Sequence, residues 1–96
     1  MPSPKLRSAI ALLQRLKATV GHDLHEYPYP IAGCDEVFKT LVLQKECCRI
    51  ALAGLNREDG LDARDAASAL HDLMATPIAL SQEERATLTE LAQSLL

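Results

Sequence analysis

Tryptophan is absent, and the whole aromatic complement is two tyrosines and one phenylalanine, all within "HDLHEYPYPIAGCDEVF", residues 22–38. A core of large rings is therefore excluded, and the interior has to be built from aliphatic side chains. These are mostly Ala and Leu in a composition that is 48% hydrophobic, a bias that favours helix over strand. Long hydrophobic runs are also missing. No stretch approaches the ~20 apolar residues that a membrane span requires. Arg15 and Lys17 interrupt the first apolar segment, which therefore does not read as a secretory signal, so the expected location is cytoplasmic. Repeats, low-complexity tracts and flexible linkers are absent too, leaving one helical domain over residues 1–96.

Cysteine is scarce and odd in number. Three residues, Cys34, Cys47 and Cys48, do not make a disulfide framework. In a helix the side chains of Cys47 and Cys48 point about 100° apart and cannot bridge. They are expected as reduced, partly buried thiols.

A chain of 10.5 kDa is expected to fold to a surface of about 5,400 Å², burying roughly 64% of its extended area. That leaves little margin, and a second copy would add stability. The net charge of −3 is unevenly spread. Residues 1–20 hold Lys5, Arg7, Arg15 and Lys17 and no acid, whereas the remainder holds six basic and thirteen acidic side chains. Either the first helix lies against its own acidic neighbours or it meets an acidic partner.

Four helices follow from the patterning. The first opens at Ser3-Pro4, a capping residue followed by a proline at the first helical position. Leu6, Ala9, Leu13, Leu16 and Val20 recur at spacings of three and four, and Gly21 is the expected terminator. Tyr27-Pro28-Tyr29-Pro30 cannot be helical, because each proline pushes its predecessor to extended geometry. The second helix is capped by Asp35 and runs to about Asn56, where "NREDG" turns the chain. Asp62 with Asp65 opens the third, which buries Ala66, Leu70, Leu73 and Met74 and closes near Thr76-Pro77. Ser81 with Glu84 forms the capping box of the fourth, whose Leu88, Leu91, Ala92 and Leu95 point inward. The expected fold is all-α, a small antiparallel four-helix bundle with two longer helices followed by two shorter ones.

Chemistry finds few footholds. His22-x-x-His25 resembles half of a zinc site, and Cys34 could approach it, but no second ligand pair at the usual spacing exists, so no metal or cofactor is expected. Cys34 lies just before a helix start, which lowers a thiol's pKa, while the adjoining Asp35 and Glu36 raise it again. No activated nucleophile, phosphate cradle or nucleophile elbow appears, and the chain does not read as an enzyme. Glu83, Glu84 and Glu90 on the last helix oppose nucleic-acid binding. Tyr27 and Tyr29, with His22, His25 and Cys34, remain the candidate residues for a small ligand, although the rings read first as a lid over the end of the bundle.

The second helix carries the functional expectation. Val37, Leu41, Cys48, Leu52 and Leu55 form one apolar stripe, and Leu43, Cys47, Ile50 and Gly54 form another well round the cylinder. A helix at the rim of a bundle needs only one. Leaving Leu43 and Ile50 exposed would forgo about 1.5–3 kcal/mol each. Either this helix is central and packs on two sides, or the second stripe meets another chain. The latter predicts a homodimer, or capture of a partner helix, through Leu43, Cys47, Ile50 and Gly54. The function expected is that of a cytoplasmic adaptor or regulator acting by protein–protein contact, with the 22–38 connector as an alternative ligand- or metal-binding site.

Overall fold

A computed structural model describes residues 3–26 and 35–96, with the side chain of Asp35 left out. Four helices are formed: α1, Pro4–Glu26; α2, Asp35–Asn56; α3, Ala63–Met74; and α4, Gln82–Ser94. Among the described residues there is no strand, and no helix is long and apolar enough to cross a membrane. The all-α bundle of two longer and two shorter helices is therefore observed. The Tyr-Pro-Tyr-Pro stretch lies outside the described residues, as do Cys34 and its surroundings.

Local chemistry fixes the helix starts. Ser3 Oγ accepts the backbone N–H of Leu6 at 3.1 Å, ahead of Pro4. Asp62 accepts from the N–H groups of Arg64 and Asp65, while the Asp65 carboxylate takes the Asp62 N–H in return. Ser81 and Glu84 make the same reciprocal pair at α4. Each box satisfies N–H groups that the helix itself leaves without a partner.

One boundary departs from expectation. The first helix does not stop at Gly21 but continues to Glu26. A Cβ placed on Gly21 would meet nothing within 4 Å, so glycine there marks neither a turn nor a close approach. Half-buried Leu24 lies one turn beyond buried Val20 on the same face, and this packing offsets the ~1 kcal/mol propensity cost of a helical glycine. By contrast α2 ends where "NREDG" requires. The N–H of Glu58 donates to Ala53 O at 2.9 Å and that of Arg57 to Gly54 O at 3.3 Å, the double bond of a Schellman motif. Arg57 occupies the left-handed position at φ 55°, which is usually glycine's.

The helices form a ring in which each packs on its chain neighbours and α4 closes onto α1, the thinnest of the four seams. Every neighbour runs antiparallel. Along α1 and α4, Lys5 pairs with Glu90 and Arg15 with Glu84. Between α2 and α3, Gly54 lies beside Ala66 while Gln44 reaches Thr76. The core comprises Ala9, Leu13 and Leu16 of α1, Cys47, Cys48 and Ala51 of α2, Ala69, Leu70 and Leu73 of α3, and Leu88 and Leu91 of α4.

These pairings also expose an end effect. Because Gln44 is level with Thr76, just past the end of α3, the first two turns of α2 run beyond α3. The molecule is elongated, 47 × 31 × 19 Å. Its surface of 6397 Å² exceeds the ~5,400 Å² expected from its mass.

Candidate functional site

The two stripes of α2 have separate partners. Leu52 of the first lies beside Gln14, Lys17 and Ala18 of α1, and Cys48 is close enough to Lys17 to feel its charge. Of the second stripe, Gly54 abuts Asp62 and Ala66, and Cys47 feels Asp72 of α3. Between the stripes, Gln44 and Ala51 face the bundle interior at 4% and 0% exposure. The helix is thus central, with α1 on one flank and α3 on the other. Its outward side carries the ion pair Glu46–Arg49.

This placement divides the four residues expected at an interface. Cys47 is buried at 4%, Gly54 is buried, and Ile50 is half-buried and packed on the core. Cys47 and Gly54 are covered within the subunit, and Ile50 is covered in part. The covering has a simple physical source: a ring of four helices gives every member two neighbours. Leu43 behaves differently. It continues the α3-facing stripe past the end of α3 and remains 49% exposed.

Leu43 is not alone. The large hydrophobic side chains left exposed among the described residues are Val37 at 55%, Val42 at 45%, Leu43 and the terminal Leu96. Three of the four fall within seven residues of α2, on the segment that outruns α3. Sequence periodicity places Leu43 on the α3-facing stripe and Val37 on the α1-facing one. What periodicity cannot supply is the length of the neighbouring helix, which decides whether an inward-facing residue has anything to face.

Gln44, polar and set between the stripes, is a buried anchor. Its Nε2 donates to Thr76 Oγ1 at 3.1 Å, and Thr76 Oγ1 donates to Leu73 O at 2.6 Å. The chain Gln44–Thr76–Leu73 ties the end of α3 to α2, and among the described residues no buried side-chain polar atom lacks a partner.

The candidate ligand residues are not assembled by what is described. His22 and His25 are both exposed on the last turns of α1, where the helical spacing puts them on one side. Tyr27, Tyr29 and Cys34 lie outside the described residues. Among the described residues, no three His, Cys, Asp or Glu side chains come together as metal ligands would. Burial pushes the Cys47 thiol up, and it pushes Cys48 up to about 11. Both thiols therefore stay protonated near neutrality and are poor nucleophiles.

The remaining charges divide into two groups. Lys5 and Arg15 of α1 are taken up by Glu90 and Glu84 of α4, so half of the basic surplus of the first helix is answered inside the molecule. Lys17 is not. It lines a shallow groove of about 460 Å³ between α1 and α2 together with Gln14, Ala18, Lys45, Leu52 and Asn56. No protein-family model, no curated protein and no solved structure matches this chain.

Proposed function

We propose that the protein is a small helical protein–protein interaction module, an adaptor or regulator without chemistry of its own, that pairs with a second copy through the projecting first half of α2. The observation that carries this reading is the concentration of Val37, Val42 and Leu43, each about half exposed, on a segment with no α3 beside it. Burying such a side chain fully is worth about 1.5–3 kcal/mol. That is a large fraction of the ~5–15 kcal/mol that holds a domain together. The three side chains point to different sides of the helix, so the twofold contact centres on Leu43, which it uses twice. Glu36 and Lys39, on the same side of the helix as Leu43, bring one charge of each sign, so two copies meet without net repulsion.

Sedimentation equilibrium from micromolar to near-millimolar protein tests the proposal. The expected mass rises with concentration from 10.5 kDa toward twice that value, and Leu43→Glu holds it at the monomer mass. Leu43 is exposed, so the variant keeps its helical circular dichroism and thermal midpoint. A wild-type chain that stays monomeric throughout would remove self-association from the reading.

A further inference from the structure

The groove between α1 and α2 holds two lysines that make no ion pair among the described residues. The chain as a whole is acidic, with thirteen acids against ten bases. Lys5, Arg15, Lys39 and Arg49 have each found a carboxylate within ion-pair distance. Lys17 and Lys45 belong to no ion pair or hydrogen bond among the described residues. They come from different helices and line one groove, accompanied by the amides of Gln14 and Asn56 and by no acid. Leu52, half-buried, and Ala18 supply an apolar strip between the charges.

From this juxtaposition we infer that the α1–α2 groove is a docking surface for an acidic amphipathic helix of another protein, its carboxylates on Lys17 and Lys45 and its apolar edge on Leu52 and Ala18. Amide side chains at Gln14 and Asn56 satisfy polar groups at the margins. The groove follows α2 from Lys45 to Asn56, roughly 16 Å at 1.5 Å per residue, a length that about three turns of helix would cover. An open trough with an apolar strip suits an extended partner, whereas a free phosphate wants a cup of converging donors. A second copy does not suit it, because twofold pairing of this face would bring lysines against lysines. The inference rests on the chain being a binding module and is independent of its self-association.

The test is an amide chemical-shift titration of the 15N-labelled full chain with a synthetic 14-residue peptide of Glu, Leu and Ala in amphipathic order. Its Glu→Gln counterpart and inorganic phosphate are run separately. Shifts should centre on Gln14, Lys17, Ala18, Lys45, Leu52 and Asn56. Binding should weaken at least tenfold for the Gln peptide and for the Lys17→Glu/Lys45→Glu double variant, and should fall as salt screens exposed charges. Should the double variant lose its fold, Lys17→Gln/Lys45→Gln replaces it. Phosphate producing the same shifts at lower concentration would identify a small-anion site and overturn the inference. So would shifts centred on residues 37–43, equal binding of both peptides, or none. Binding at the groove by a chain that sediments as a monomer would leave this inference standing while the self-association reading fell.

Discussion

Adding one methyl group at Gly54 and the same group at Gly21 should move stability in opposite directions. Both glycines lie inside helices, where alanine is intrinsically favoured by about 0.8–1.0 kcal/mol. At Gly21 the new Cβ would have nothing within 4 Å, so Gly21→Ala should realise most of that gain. At Gly54 the Cβ would lie 2.5 Å from the carbonyl oxygen of Asp62 and 2.9 Å from both the N and the Cβ of Ala66. Two of these three atoms are backbone and cannot rotate away. The Asp62 carbonyl also accepts the Ala66 N–H at 3.1 Å, and the Asp62 side chain caps α3. Relief therefore requires α2 and α3 to part at their crossing, or the first turn of α3 to deform. Overpacking of this kind costs about 1–3 kcal/mol, and the propensity gain offsets only the lower end of that range.

Urea unfolding followed by circular dichroism at 222 nm measures both variants. With a slope of roughly 1–1.5 kcal/mol per molar for a chain of this size, Gly54→Ala should lower the midpoint by up to about 2 M. Gly21→Ala should raise it by about 0.5 M. In thermal melts each kcal/mol appears as about 4–8 °C. A Gly54→Ala chain that gains as much as Gly21→Ala would show that α2 and α3 do not cross this closely, and the account of the second stripe would go with it.

Acid should weaken the capped helices. Asp62 is held below the ordinary carboxylate range first by the Asp65 backbone N–H, and Glu84 first by the Ser81 N–H and then by Arg15. Folded values below unfolded ones mean stability that is present above about pH 4.5 and lost as pH falls through the depressed values. Urea midpoints at pH 7, 5 and 3 should decline mainly in the last interval, less steeply for Asp62→Asn, and an unchanged slope in that variant would remove the cap from the explanation. The thiols give the opposite sign. Because burial pushes Cys48 up to about 11, its contribution is complete below the unfolded value near 8.5 and lost as pH rises toward 11. At pH 8, Cys47 and Cys48 should resist iodoacetamide in the native chain and react in urea, as read by peptide mass spectrometry. Rapid native labelling would contradict their burial at 4% and 0%.

What the sequence made legible was chiefly whatever is local. Ser3-Pro4, Asp62 with Asp65, and Ser81 with Glu84 announce their helices because a cap is a bond between residues three apart, and all three form as read. Gly21 misled because a glycine's role depends on whether the chain beyond it has a face to bury, and Leu24 does. The two stripes of α2 were visible as periodicity, but their partners were not. Deciding between another helix of the same subunit and another chain requires the closeness of Gly54 to Ala66, a fact of tertiary distance. The burial of Gln44 is a tertiary fact of the same kind: a single acceptor on Thr76, 32 positions away, allows it.

The packing of the second stripe changes what an experiment at Ile50 would mean. Read from sequence, Ile50→Glu is an interface probe. In the folded chain Ile50 packs on the core beside α3, so a carboxylate there brings charge to a largely apolar contact and loosens the fold itself. Loss of any association in that variant would then follow from unfolding and say nothing about a surface. Leu43, on the same stripe, is separated from that outcome only by the length of α3. Twelve residues of α3 against twenty-two of α2 leave roughly 15 Å of the longer helix unmatched at 1.5 Å per residue. The unmatched piece is also where the exposed valines lie. A protein under no demand for contact at that end would be expected to carry polar residues there, as it does on the outer face at Glu46 and Arg49. Leucine and valine at those positions are what the proposed contact would bury.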